Sequence, residues 1–169
     1  MGDSTKFSFT AEQRSTVLQG IKTVVLNTEL GGNASAAYQI SNAQIAKSGY
    51  SIGLNQYDLA NNNKNGQATS RLLQLGFTAD EASKLTGATN LSKADLQSLN
   101  LKLDTPANRA LIDQFANQDL ANKVNKLETI IDILQTKNPS AAASIKNSIE
   151  LQMRLMDYDA MRELRSEEH

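Results

Sequence analysis

Apolar residues recur at helical spacing along most of the chain, and this pattern predicts a mainly α-helical fold. The first such stretch carries its apolar residues on one face, at Val17, Leu18, Ile21, Val24 and Val25. Thr10 and Gln13 have the spacing of a capping box, which predicts a helix that begins near residue 11. Gly31 and Gly32 predict its end near residue 29, because glycine readily adopts the left-handed backbone found just past a helix.

The C-terminal half predicts two long helices that pack antiparallel as a hairpin. Thr105 is a suitable cap and Pro106 suits the first helical position, so one helix should run from there to about Lys137. Pro139 interrupts the pattern, and a second helix is expected from Ser140 to about residue 164.

Shorter elements are expected before this hairpin. Three short helices are predicted, over residues 67–75, 79–87 and 93–99. The last two begin with further capping boxes. Residues 33–47 fit either a short helix or a loop. Near residues 48–57, glycines and alternating bulky residues predict the one short β segment of the chain.

Composition narrows the classes of function. The 169 residues suit a single domain, and a formal net charge of −1 lacks the basic character expected of a nucleic-acid-binding protein. There is no cysteine for a disulfide, a thiol nucleophile or a thiolate metal site, and no metal or other cofactor is expected. We interpret His169, the last residue, as the start of an expression tag. No apolar run has the length of a membrane span, so no membrane insertion is expected.

Glu29 is the candidate general acid of a glycoside-cleaving site. A carboxylic acid donates the proton that the leaving oxygen needs, provided that its surroundings keep it protonated. The C-terminal end of a helix disfavours negative charge, and Leu18 and Val25 share the predicted helix face with Glu29. The glycines that follow leave room for a sugar to approach. The alternative interpretation is an ordinary glutamate that precedes a glycine cap.

Polar and aromatic residues in and before the β segment suit a sugar ligand. The candidates for substrate binding are Gln56, Asn55, Tyr50, Tyr57, Ser51 and Tyr38, and Asp58 is the candidate second catalytic carboxylate. Amides, hydroxyls and tyrosine rings fit a neutral, hydroxyl-rich and N-acetylated substrate. The alternative interpretation is a polar surface loop whose tyrosines are half-buried.

Two segments together resemble the lysozyme-like superfamily: Glu29–Gly32 (Glu-Leu-Gly-Gly) and Gly53–Gln56 (Gly-Leu-Asn-Gln). Members of that family place a catalytic Glu at the end of a helix, and a short β segment, often Gly-hydrophobic-x-Gln, then lines the cleft. Residues 57–62 are similar to the muramidase domains of phage endolysins and bacterial secretion effectors. The resemblance covers roughly residues 10–65. It implies one lysozyme-like catalytic domain over residues 1–169, with Glu29 as general acid and Gln56 in contact with sugar.

The resemblance implies that this protein is a muramidase, which cleaves peptidoglycan glycan strands between N-acetylmuramic acid and N-acetylglucosamine. The Asp-Thr pair that phage-type lysozymes carry after the Glu has no clear match, which leaves Asp58 as second carboxylate. If no second carboxylate acts, a lytic transglycosylase that uses one Glu as both acid and base remains open. The sequence leaves open which of the two reactions occurs.

Delivery and partners follow from the same resemblance. The N-terminus lacks the features of a secretory signal, so we expect synthesis in the cytoplasm of a bacterium or phage-infected cell. Action in the periplasm or cell wall then requires phage lysis or a type VI secretion machine. A toxin effector implies a cognate immunity or inhibitor protein. The alternative from another class is a non-enzymatic helical interaction or assembly module, which predicts an exposed Glu29 without a groove beside it.

Overall fold

The computed structural model describes residues 6–42, 49–87 and 90–156, and this part of the chain is mainly helical. In chain order the elements are α1 (Ala11–Leu30), a 3-10 turn (Ala34–Tyr38), β1 (Ser41–Asn42), β2 (Tyr50–Ile52), β3 (Tyr57–Asp58), α2 (Gln67–Gln74), α3 (Ala79–Thr86), α4 (Lys93–Leu103), α5 (Pro106–Lys137), α6 (Pro139–Lys146) and α7 (Ile149–Met156). The predicted mainly α fold with a small β element is therefore confirmed.

Side-chain caps place the helix starts where the sequence predicts them. At α1, the Thr10 hydroxyl accepts a hydrogen bond from the Gln13 amide N at 3.1 Å, and Gln13 Oε1 accepts one from Thr10 N at 2.9 Å. Thr78 and Glu81 form the same reciprocal pair at α3. Each box satisfies backbone N–H groups that the first turn of a helix leaves without a partner.

Two glycines end α1 directly after the turn that carries Glu29. Gly31 and Gly32 have φ values of +57° and +82°, in the left-handed region that side chains with a Cβ avoid. The Gly32 amide N–H donates to the Leu26 carbonyl at 3.1 Å, which satisfies one of the carbonyls that the helix end leaves open. The predicted helix end is confirmed to within one residue.

The predicted hairpin of two long helices is wrong in its second arm. Two short helices, α6 and α7, replace the single helix expected from residue 140. Asn147 Nδ2 donates to the Ala143 carbonyl at 2.9 Å at the end of α6. The Ser148 hydroxyl then accepts from Leu151 N at 3.2 Å and begins α7. Asn and Ser compete with helical hydrogen bonding in this way, which explains the break. The expected end near residue 164 lies outside the described residues.

The chain divides into two compact units, and the single lysozyme-like domain stays a prediction. One unit is Val25–Gln118, and the other combines Met1–Val24 with Asp119–His169. Helices α1 and α5 each contribute residues to both units.

In the Val25–Gln118 unit, three short strands form an antiparallel sheet in the order β1-β2-β3. Ser51 pairs with Ser41 on one side and with Asp58 on the other, and Ile52 pairs with Tyr57. One face of this sheet belongs to the core, together with residues of α2 to α5. The buried core residues are Ile40, Tyr50, Ile52, Leu59, Ala68, Leu72, Leu75, Phe77, Ala82, Leu85, Leu99, Leu103 and Ile112.

In the unit of residues 1–24 and 119–169, α5 supplies a buried stripe at helical spacing. Its buried residues are Leu120, Val124, Leu127 and Ile131. The extended segment before α1 is held by α5 carboxylates, since Phe7 N donates to Asp132 Oδ1 and Phe9 N to Glu128 Oε2, both at 2.7 Å. None of the described helices is long and apolar enough to cross a membrane.

Candidate functional site

Glu29 is exposed and lies in the last turn of α1, within the Val25–Gln118 unit. No hydrogen bond joins its side chain to the other candidate residues in the described part of the chain. Two cavities of this unit, of about 10 and about 450 Å³, are lined by other residues. Apolar neighbours therefore do not shield the Glu29 carboxylate as the sequence predicts. The helix end beside Gly31 and Gly32 is open, as expected.

Gln56 has the most defined geometry of the candidate residues. It is half-buried in the turn between β2 and β3, where its φ of +49° makes it the one non-glycine residue with positive φ among those described. Its side-chain Nε2 donates to the Gly53 carbonyl at 2.9 Å, and the Ser41 hydroxyl donates to its Oε1. The amide group is therefore fixed in orientation at both ends.

Gly53 gives this turn its shape. Its φ of +88° is unfavourable for a residue with a Cβ, and an added Cβ would lie 3.3 Å from Asn55 Oδ1. The Gly53 N–H donates to the Ala37 carbonyl at 2.9 Å, which ties the turn to the 3-10 turn. The backbone conformation at this position therefore favours glycine.

Asp58, the candidate second carboxylate, is occupied by its own loop. Its Oδ1 accepts from Asn61 N at 3.0 Å and its Oδ2 accepts from Asn61 Nδ2 at 2.7 Å. Its backbone carbonyl also accepts from Asn62 Nδ2 at 2.8 Å. This is the loop-initiating role that Asp commonly has after a strand.

Tyr50 and Ser51 do not offer their side chains to a sugar, contrary to the sequence-based expectation. Tyr50 is 3% exposed and Ser51 6% exposed, because β2 forms part of the core. The Tyr50 hydroxyl accepts a hydrogen bond from Leu91 N at 2.7 Å, so its polar end is used to hold the segment before α4. Both residues support the sheet.

Tyr38 closes the 3-10 turn against α5. Its hydroxyl donates to Asp113, with oxygen distances of 2.9 and 3.1 Å, and the Arg109 guanidinium lies 4.5 Å from its ring centroid. Burial, and next the hydrogen bond to Asp113, raise the pKa of Tyr38 above its ordinary value. Arg109 in turn pairs with Asp104 through two hydrogen bonds of 2.6 and 3.1 Å.

Tyr57 packs against a residue that sequence reasoning missed. The Arg71 guanidinium lies between two rings, 4.3 Å from the Tyr57 centroid and 4.8 Å from the Phe115 centroid. Asn55 and Tyr57 line the cavity of about 10 Å³ beside this stack, which has room for about one water molecule. The only hint in the sequence is that Arg71 is the sole charged residue of α2.

The structure brings Ser51, Asp58 and Gln56 together at the sheet, whereas no hydrogen bond among the described residues joins Glu29 to them. The sheet register places Ser51 beside Asp58, and side-chain hydrogen bonding joins Gln56 to β1. In the described residues there is no group of three His, Asp or Glu side chains placed to share a metal ion.

No family model, curated protein or solved structure matches this chain.

Proposed function

We propose that the protein cleaves peptidoglycan glycan strands between N-acetylmuramic acid and N-acetylglucosamine, with Glu29 as general acid. The observation that carries this proposal is the end of α1, where Glu29 lies in the last turn and is followed by two glycines with positive φ. The absence of side chains at Gly31 and Gly32 leaves the approach to that helix end open. A glycan strand needs such access, because the acid must reach the leaving oxygen.

Gln56 supports the same proposal as a contact for substrate. Its amide nitrogen has two protons and its oxygen two acceptor positions, and one of each is used internally. Within the described residues the second proton and the second lone pair make no hydrogen bond, and they suit a sugar hydroxyl or an N-acetyl group. Because the internal hydrogen bonds fix the amide, little side-chain freedom would be lost on binding. Asn55 and Tyr57 in the same turn region are the other proposed contacts.

In the proposed reaction, Glu29 gives its proton to the glycosidic oxygen as the bond from the anomeric carbon to that oxygen breaks. An oxocarbenium-like state then requires an oxygen nucleophile. In a hydrolase this is water, with Asp58 as the candidate to activate it. In a lytic transglycosylase it is a hydroxyl of the same sugar, and Glu29 takes up its proton. Each Asp58 oxygen accepts one hydrogen bond from Asn61 and keeps a second lone pair, so the loop geometry is compatible with both reactions.

The test is lysis of purified peptidoglycan by wild type, Glu29→Gln and a matched control. Asp95→Asn is the control, because Asp95 is likewise an exposed carboxylate but lies in the first turn of α4. We expect turbidity to fall with wild type and with Asp95→Asn. Loss of a general acid should slow lysis by about 100-fold or more in Glu29→Gln. Equal lysis by Glu29→Gln would remove Glu29 from its role.

Product masses then separate the two reactions. Hydrolysis adds water and leaves a reducing sugar end, whereas transglycosylation leaves an anhydro sugar end. Asp58→Asn should slow hydrolysis strongly if Asp58 activates water. If Glu29 acts alone, Asp58→Asn should affect activity only as far as it loosens the loop.

The second candidate function is a non-enzymatic helical interaction or assembly module. Glu29 favours it, because its side chain is exposed and lines neither of the two described cavities of its unit, as this alternative predicts. No lysis by wild-type protein would support this candidate over the first.

Under the first proposal, a toxin effector delivered by type VI secretion would require a cognate immunity protein, and a phage endolysin would not. Co-purification from the producing cell distinguishes those two settings.

A further inference from the structure

A third cavity lies in the unit of residues 1–24 and 119–169, and no candidate residue of the glycan site lines it. Its volume is about 520 Å³, within the range typical of sites for small organic ligands. Apolar side chains form much of its wall, namely Phe7, Phe9, Val17 and Ile149. Phe7 and Phe9 meet edge to face with centroids 5.0 Å apart, so the two rings pack against each other in the wall.

Lys146 contributes a positive charge to this wall. Its ammonium donates to Gln135 Oε1 at 2.8 Å and lies 4.7 Å from the centroid of the Phe7 ring. Both partners are neutral, and no carboxylate pairs with Lys146 in the described part of the chain. A lysine ammonium has three protons to donate. The half-buried cation is therefore suited to pair with an anion that enters the cavity.

Gln152 contributes a buried amide to the same wall. It is 2% exposed, and its Nε2 donates to the Ile145 carbonyl at 2.9 Å and the Lys146 carbonyl at 3.4 Å. Its Oε1 receives no hydrogen bond from the described residues. Buried oxygens without a donor are uncommon in folded proteins and call for an explanation. A ligand N–H is one such donor, but it reaches the enclosed oxygen only if the Gln152 amide turns towards the cavity and gives up its hydrogen bonds to Ile145 and Lys146.

We propose that this cavity binds a short apolar peptide by its C-terminal residue. The peptide carboxylate pairs with the Lys146 ammonium, and an adjacent amide N–H donates to Gln152 Oε1. Apolar side chains of the peptide pack against Phe7, Val17 and Ile149. A C-terminal residue fits because it combines an anion, an N–H donor and an apolar group within a few bonds. One ligand class thus matches the apolar side chains, the Lys146 ammonium and the Gln152 oxygen, and the Glu12 carboxylate, which also lines the cavity, is the charge that opposes it.

The primary test uses wild-type protein and two ligands that differ only in the C-terminal group. Isothermal titration calorimetry would compare the dipeptide leucyl-leucine with its C-terminal amide, which lacks the carboxylate. We expect saturable binding of the dipeptide, and affinity weaker by about tenfold or more for the amide. Absence of saturable binding by the dipeptide overturns the proposal and indicates a cavity that holds only solvent. Equal affinities overturn the role of Lys146.

Variants locate the site. Lys146→Met should weaken dipeptide binding by about tenfold or more, whereas Lys126→Met, which changes an exposed lysine of α5, should leave it unchanged. Ala143 is exposed and lines the cavity, so Ala143→Trp should obstruct it without disturbing the core. Undiminished binding by Ala143→Trp would place the dipeptide elsewhere and contradict the proposal. Circular dichroism confirms folding of each variant before titration.

Discussion

Gln56 combines an unfavourable backbone conformation with two side-chain hydrogen bonds, and two substitutions separate these effects. Gln56→Ala removes both hydrogen bonds and keeps a Cβ at φ of +49°. Gln56→Gly removes the same hydrogen bonds and also the strain. Two hydrogen bonds contribute about 1–3 kcal/mol together, so Gln56→Ala should lower the free energy of unfolding by about that amount.

Gln56→Gly should be less destabilised than Gln56→Ala. A left-handed conformation costs about 1–2 kcal/mol for a residue with a Cβ. Glycine gives back about 0.5–1 kcal/mol of this, because it gains more freedom in the unfolded chain. The free energies of unfolding of the two variants should therefore differ by up to about 1.5 kcal/mol.

Urea unfolding followed by tyrosine fluorescence measures both values. The chain has no tryptophan and four tyrosines, of which Tyr38, Tyr50 and Tyr57 lie in the Val25–Gln118 unit, so the signal reports mainly on that unit. Gln114→Ala, at an exposed site on α5, is the control and should stay within about 0.5 kcal/mol of wild type. A Gln56→Ala variant as stable as wild type, or a Gln56→Gly variant less stable than Gln56→Ala, would refute this reasoning.

Two further predictions concern stability. The neutral Tyr38 side chain stabilises the fold below the ordinary tyrosine pKa, and this contribution is lost as pH rises through the raised folded-state pKa. The melting temperature of Tyr38→Phe, measured by circular dichroism, should therefore fall less steeply than that of wild type above about pH 10. Asn108 is buried and donates to the Leu75 carbonyl at 2.9 Å, so Asn108→Ala should lose about 1–3 kcal/mol in urea unfolding, whereas exposed Asn117→Ala on the same helix should lose less than about 0.5 kcal/mol.

Local features were predictable because their causes lie within a few residues of the chain. The reciprocal hydrogen bonds of Thr10 with Gln13 join residues three apart, as do those of Thr78 with Glu81. The glycine-ended helix depends on one backbone conformation. Such interactions have the same geometry in any fold, so spacing alone identifies them.

Burial of polar residues was not predictable, because it depends on which face of a short strand meets the core. Tyr50, Ser51 and Ile52 are all buried, whereas an exposed hairpin would bury alternate residues. The roles of Arg71 and Asp113 were equally hidden. Arg71 lies between aromatic rings from β3 and α5, and Asp113 meets Tyr38 across 75 positions of sequence.

The hydrogen bonds of Asp58 within its loop decide which substitution can test a catalytic role for this residue. If Asp58 holds Asn61 in the folded protein, a substitution that removes its carboxylate perturbs the loop and the sheet edge whether or not it touches a sugar. Loss of activity in Asp58→Ala would then not identify a catalytic residue. Asp58→Asn keeps an oxygen that accepts the Asn61 backbone N–H, so it preserves most of the loop while removing the charge. The contrast between these two variants, with Glu29 intact, is what separates a second catalytic carboxylate from a structural one.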